Sequence, residues 1–322
     1  MRKKNTSRRK FKKSKKDWFR ISVGVSTFFI LLFLPGQNVY EQPLTFKRQA
    51  TAQIANVFPT PALYPVNLTG SFPQDLTAQG ALAVDLPSGT ILYQKNKDLK
   101  LSPASTTKIM TALVALDSFD LDQVLTVKTA EQEGRIMGLV SSEKMTAENL
   151  LYGALVHSAN DAALTLAENY PGGERAFIKK MNEKAEEFNL QNTHFENSIG
   201  FESSGQHSSA FDLYILTVKA LQNKTFAKIV GTPSITVHDQ EFKYFHFLQN
   251  VNELLGKVPG VAGIKTGFTE TAGECLVNLT KKGEREVVTV ILKSEDRFGE
   301  TERLLDWVFL NHRWEEITPA SR

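Results

Sequence analysis

Strand-like periodicity near both ends of the apolar sequence, with helical periodicity between, restricts what this chain can fold into. Residues 81–94 (ALAVDLPSGTILYQ) read as a β-hairpin turning at Pro87-Ser88-Gly89-Thr90. Strand patterns return only at 261–265, 274–280 and 286–292. Between them, residues from 105, 146–166, 174–188 and 210–221 carry apolar residues at helical spacing, with a break around His157–Asp161. A closing helix is expected at about 298–309. Separated strand groups around a helical middle predict one sheet whose first and last parts meet, with a helical insertion, an α+β architecture. No internal repeat is visible.

The N-terminus is a separate matter. Of 38 Lys and Arg and 35 Asp and Glu, eleven basic residues and one acid (Asp17) fall within residues 1–20, a net +10. The remainder holds 27 basic and 34 acidic residues, a net −7. An acidic folded part argues against nucleic acid as its ligand. Residues 21–34 (ISVGVSTFFILLFL) carry no charge, and basic-then-apolar is the pattern of an export signal or anchor. Fourteen helical residues span about 21 Å, and counting Trp18 and Phe19 with Arg20 snorkelling gives about 25 Å. The nearest small-x-small cleavage pattern is Ala50-Thr51-Ala52, far downstream, so an uncleaved signal-anchor is expected. The positive charge would keep the N-terminus cytoplasmic and the rest outside.

Six of twelve prolines lie at 35, 43, 59, 61, 65 and 73, the composition of a semi-extended linker. The organisation read from these features is a basic tail (1–20), a membrane segment (21–34), a Pro-rich linker (35–77), a folded domain (78–312) and a C-terminal tail (313–322). The single cysteine, Cys275, has no intramolecular disulfide partner and reads as a small buried strand residue. The six histidines show no metal-ligand spacing, so neither metal nor cofactor is expected.

Chemistry gathers at Pro103-Ala104-Ser105-Thr106-Thr107-Lys108. Ser105 and Lys108 share one helical face, and a neutral lysine amine can act as base for a serine hydroxyl. Ser-x-x-Lys alone is weak evidence, because it occurs also at Ser7/Lys10 and Ser141/Lys144. Company changes its weight. Ser158-Ala159-Asn160 follows at the break between two helices, and Lys265-Thr266-Gly267 follows on an apolar strand. Ser-x-x-Lys, Ser-x-Asn and Lys-Thr-Gly in that order form the signature of penicillin-binding proteins and serine β-lactamases.

The flanking PASTTKIMTALVALD, LLYGALVHSANDAALTLAE, NVNELLGKVPGVAGIKTGFTETAGECLV and RFGETERLLDW resemble the low-molecular-mass D-alanyl-D-alanine carboxypeptidases, serine peptidase family S11, over about residues 78–312. The resemblance implies the β-lactamase/transpeptidase-like fold, with the site between the sheet and a helical subdomain. It implies hydrolysis of the terminal D-alanine from peptidoglycan stem pentapeptides through a Ser105 acyl-enzyme. It also implies covalent inhibition by β-lactams, at the extracytoplasmic face of a bacterial plasma membrane. Three departures stand out: Ala159 where glycine is usual, Asn197-Ser198-Ile199-Gly200 where Asn-Pro-x-Gly is commoner, and a chain ending about ten residues after the closing helix. The last suggests no C-terminal β domain or C-terminal anchor, in keeping with an N-terminal one.

For the reaction, Lys108 must be neutral, so its pKa has to fall from about 10.4 to near 7, a differential of about 4 kcal/mol. Burial and the like charge of Lys265 are expected to drive that. Ser158 would relay a proton to the leaving amine, and Asn160 would hold Lys108 and the substrate amide. By resemblance, Lys265, Thr266 and Arg297 orient the terminal carboxylate, Gly267 leaves room for substrate backbone, and the N–H groups of Ser105 and Phe268 form the oxyanion hole. The bland readings are that Ser158 and Asn160 cap a helix, and that Lys265 and Arg297 are surface cations. Rival functions are a D,D-endopeptidase with the same catalytic groups, a β-lactamase, or a non-catalytic β-lactam sensor. Glu196 lacks the Glu-x-x-x-Asn arrangement that class A β-lactamases use for deacylation.

Overall fold

The computed structural model describes residues 15–33, 63–130 and 133–316. The chain falls into two compact units, residues 1–60 and 61–322. In the first, α1 (Lys15–Phe33) is a 19-residue helix. It covers most of the apolar run 21–34 but begins inside the basic tail, so Lys15, Lys16, Asp17 and Arg20 occupy its first turns. Among the described residues no helix is long and apolar enough to cross a membrane. The rest of the basic tail, Leu34 and the linker up to residue 62 lie outside the described residues.

The second unit opens with β1 (Tyr64–Asn67), within the stretch read as linker. The hairpin follows as β2 (Gly80–Asp85) and β3 (Ile91–Lys95). A 3₁₀ turn over Ala104–Thr107 leads into α2 (Lys108–Ser118). A short pair, β4 (Val124–Thr126) and β5 (Lys144–Thr146), precedes α3 (Ala147–Leu155). Then come α4 (Asn160–Asn169), α5 (Gly173–Glu187), α6 (Ala210–Leu221) and α7 (Lys224–Val230). A second hairpin, β6 (Ser234–His238) and β7 (Phe245–Gln249), follows. The chain closes with β8 (Val261–Thr269), β9 (Gly273–Lys282), β10 (Arg285–Ser294), α8 (Arg297–Asn311) and β11 (His312–Glu315).

The first and last strand groups do meet. The main sheet runs β3-β2-β10-β9-β8 with antiparallel neighbours throughout. Alternation assigns its faces. Ala81, Ala83, Val287 and Ile291 pack against Leu304, Leu305, Trp307 and Val308 of α8. Leu82, Val84, Val288, Val290 and Leu292 join the larger core shared with the helical lobe. Helix α2 is buried from Lys108 to Ala115, as its nearly all-apolar circumference requires. Local chemistry sets several helix starts: Thr146, Ser209, Asn223 and Asp296 each cap the helix that follows.

Two parts of the sequence reading change. β1 pairs with β11, Tyr64 opposite Glu315 and Asn67 opposite His312, so the stretches read as linker and tail hold each other in an edge ribbon. Residues 224–249, given no element, form α7 and the β6–β7 hairpin; their strands are only five residues each.

Candidate active site

Ser105 lies inside the 3₁₀ turn, and the α-helix proper starts at Lys108. Ala104 sits at φ +46°, a left-handed conformation that L-residues avoid unless the surroundings enforce it. The enforcement is visible on both sides. The Pro103 carbonyl accepts from Thr106 N–H (3.1 Å) and from its hydroxyl (2.6 Å). A Cβ on Gly200 (φ +92°) would collide with the Ala104 carbonyl. A Cβ on Gly267 would stand 3.0 Å from the Pro103 carbonyl and 3.1 Å from Ser105 N. The glycine of Lys-Thr-Gly therefore lets β8 press against the nucleophile's turn, a demand within the protein itself that the sequence reading placed on substrate alone.

Lys108 Nζ is fully buried, 3.0 Å from Ser105 Oγ, 2.7 Å from Asn160 Oδ1 and 2.6 Å from the Ile199 carbonyl. Burial pushes its pKa down to about 7, while Asp161 pulls it upward. Lys265 is likewise held well below its ordinary value, by burial first and then by Lys108, Arg297 and Arg135; the repulsion between the two amines disfavours charge on both. The three contacts suit a neutral amine. Two N–H bonds go to acceptors that can only accept, Asn160 Oδ1 and Ile199 O, leaving the lone pair for the Ser105 hydroxyl.

Ser158 and Asn160 are not caps. The N-cap of α4 is Ala159, with no side-chain bond. Ser158, at φ +63°, turns its hydroxyl to Lys265 Nζ at 2.7 Å, and Lys265 also donates to the Thr266 carbonyl at 2.9 Å. Lys265 is thus a buried member of the site, not a solvated edge lysine. Asn160 bridges Lys108 to a loop: its Nδ2 donates to the Glu133 carbonyl (2.9 Å) and its backbone N–H to that of Arg135 (2.7 Å).

These groups face a cleft of about 750 Å³ whose lining includes Ser105, Ser158, Asn160, Thr266, Gly267, Phe268 and Arg297. Arg297 opens α8; its Nη1 donates to the Gly267 carbonyl at 2.9 Å, while its buried Nε has no partner. Glu196 lines a different cavity and accepts from the Ser203 hydroxyl. Cys275 is buried, its thiol pushed up to about 11, as a core strand residue requires.

Some supporting residues escaped the sequence reading. Asn197 Oδ1 gathers the N–H groups of Ile199, Gly200 and Phe201, folding the departing Asn197–Gly200 stretch so that Ile199 offers its carbonyl to Lys108. Asp161, fully buried, accepts from Met137, Gly138 and Leu139 N–H and so fixes the loop beside the cleft. A carboxylate in a helix's first turn is ordinary, and that masked it.

Comparison with known proteins follows the same lines. The sequence model of the D-alanyl-D-alanine carboxypeptidase family (Peptidase_S11) matches residues 67–296. A D-alanyl-D-alanine carboxypeptidase of Bacillus subtilis, DacF, is 35% identical over 242 residues, 72% of this chain and 62% of its own length. A D-alanyl-D-alanine endopeptidase of Pseudomonas aeruginosa is 37% identical over 248 residues, 76% of this chain and 78% of its own. Among solved structures, the Streptomyces K15 DD-transpeptidase is 30% identical with a TM-score of 0.70, covering 74% of this chain and 100% of that one.

Proposed function

Because this chain belongs to the D-alanyl-D-alanine carboxypeptidase family of serine peptidases, we propose that it hydrolyses the terminal D-alanine from peptidoglycan stem pentapeptides through an acyl-enzyme on Ser105. One observation carries the reading: a buried Lys108 amine, held near neutrality, 3.0 Å from a serine hydroxyl in a strained turn.

Ser105 Oγ attacks the carbonyl carbon between the two D-alanines as its proton passes to Lys108 Nζ. The oxyanion draws on the N–H groups of Ser105 and Phe268. Collapse breaks the C–N bond, and the leaving amine takes a proton relayed from Lys108 through Ser158, whose hydroxyl also contacts Lys265. Water, its proton accepted by Lys108, then cleaves the ester and restores Ser105. Thr266 and Arg297 hold the terminal carboxylate; the unpartnered Arg297 Nε is a donor in search of an acceptor. β-Lactams acylate Ser105 by the same attack.

A second reading, cleavage of D,D cross-links, rests on the 37% identity to an endopeptidase. We place the activity at the outer face of the plasma membrane, with the N-terminus cytoplasmic. The support is the +10 tail, the apolar run 21–34 and a substrate that lies outside.

The test is release of free D-alanine from diacetyl-Lys-D-Ala-D-Ala beside a Ser105→Ala control. Release that disappears in the control is expected. Penicillin labelling of Ser105 without D-alanine release, together with cleavage of cross-linked dimers, would replace this reading by the endopeptidase.

A further inference from the structure

Among the described residues, the cleft holds one unpaired cation that the reaction leaves unused. Its charged lining comprises Arg135, Lys257, Glu253 and Arg297, with Lys265 buried behind. Lys257 is paired with Glu253 at 3.1 Å. Arg297 donates to Gly267 and serves the terminal carboxylate. Lys265 is held well below its ordinary pKa. Arg135 remains: exposed in the cleft, with no side-chain hydrogen bond or ion pair among the described residues, yet near enough to depress both Lys265 and His157 electrostatically.

Its backbone is not free to wander. Asn160 grips the loop on both sides of Gly134, taking the Glu133 carbonyl with its side chain and the Arg135 carbonyl with its backbone N–H. A Cβ on Gly134 would lie 2.7 Å from Asn160 Nδ2, so the approach is close. The guanidinium is thus hung one residue from the group that positions the catalytic lysine. Arg297 stands at the start of α8, its Nη1 on the β8 carbonyl of Gly267. Ser105, Arg135 and Arg297 line one cleft, so a substrate anchored by its C-terminal carboxylate at Arg297 would carry its preceding residues within the cavity that Arg135 shares.

We infer that Arg135 is a specificity-determining residue that receives a second carboxylate, on the part of the stem peptide preceding the cleaved bond. A planar fork of donors suits a carboxylate bidentately and gains little from a neutral carboxamide. Two carboxylates could supply it: the side-chain carboxylate of a diaminopimelate at position three, or the α-carboxylate of a γ-linked D-glutamate at position two. The inference rests on the carboxypeptidase reading.

The experiment compares three pentapeptides of the form L-Ala-γ-D-Glu-diaminopimelate-D-Ala-D-Ala: unmodified, amidated at position three, and amidated at position two. D-Alanine release is measured as kcat/KM for the full chain, Arg135→Gln and Arg135→Lys. The wild type should lose about tenfold on one amidated peptide, which identifies the carboxylate used. Arg135→Gln should cleave all three alike at the lower rate, and Arg135→Lys should fall between, keeping charge without the fork. Cleavage of all three peptides within twofold by the wild type would overturn the inference. So would an unchanged preference in Arg135→Gln or, if that variant does not fold, in Arg135→Lys. Absence of release from any peptide by the wild type would overturn the carboxypeptidase reading and this inference with it.

Discussion

The two walls of the cleft are built by different means. The sheet wall, β8, is set by backbone: a ladder to β9 from Ile264 to Thr269 and the close approach of Gly267 to the Pro103–Ser105 turn. The helical wall is set by buried and half-buried side chains that collect backbone groups. Asp161 takes three N–H groups of one loop, and Asn197 takes three of another. Gln206 adds the N–H groups of Glu196 and Asn197 and the Phe201 carbonyl. A ladder shares its load among many repeated bonds, whereas a buried carboxylate concentrates it. Single substitutions should therefore cost more stability on the helical wall than on the sheet wall.

Both walls converge on Ser105, so the largest effect is expected there. Ser105→Ala should lower D-alanine release by about 10⁴-fold or more with unchanged melting. The contrast between walls is sharpened by a matched pair. Asp161→Asn places an amide donor among N–H donors in a fully buried site and should cost about 3 kcal/mol in urea unfolding. It also removes the charge that holds the Lys108 pKa up, so the acid limb of kcat/KM should move to lower pH. Gly267→Ala asks neighbours at 3.0–3.1 Å to give by a few tenths of an ångström. Its cost should be about 1 kcal/mol, with a fall in activity of about tenfold as β8 shifts off the Ser105 turn. If Gly267→Ala proves the more destabilising of the two, the comparison is wrong.

For the wild type, kcat/KM should rise with pH through about 7, because the neutral form of Lys108 is the base. A flat profile between pH 6 and 8 would remove Lys108 from that role. The smallest effect concerns His246, which ties β7 to the connection between β4 and β5. Its Nε2 meets Glu143 Oε1 at 2.7 Å and its Nδ1 the Met137 carbonyl at 3.0 Å, two acceptors for one ring. The Glu143 contact raises its pKa, with Asp161 adding in the same direction. A raised histidine contributes stability that is complete below its unfolded pKa of about 6.5 and is lost as pH climbs through the folded value. The melting-temperature gap between wild type and His246→Gln should therefore be widest in mild acid and narrow toward alkaline pH.

The candidate catalytic residues, which the structure brings together, were legible in one dimension because each motif compresses its chemistry into three or four positions. Ser105 and Lys108 share a face, Ser158 and Asn160 bracket a helix start, and Lys265 to Gly267 occupy one strand. Strand and helix periodicity likewise foretold that residues 81–94 and 261–292 build one sheet. Helix α7 was missed because seven residues make only about two turns, and the β6–β7 hairpin because its connection, Asp239 to Tyr244, holds no glycine or proline to mark a turn.

What the sequence determined by itself is therefore local: element type, the order of motifs, and which side chains could perform acyl transfer. Only the tertiary structure decided that burial is the leading cause holding Lys108 near 7. It alone showed that Gly267 yields space to the Ser105 turn, that Ile199 supplies the third partner of Lys108, and that residues 64–67 pair with 312–315. The physical reason is common to all four. Desolvation, close backbone approach and carbonyl acceptors depend on what is packed nearby in space, and residues 91 or 245 positions apart leave no periodic trace of meeting.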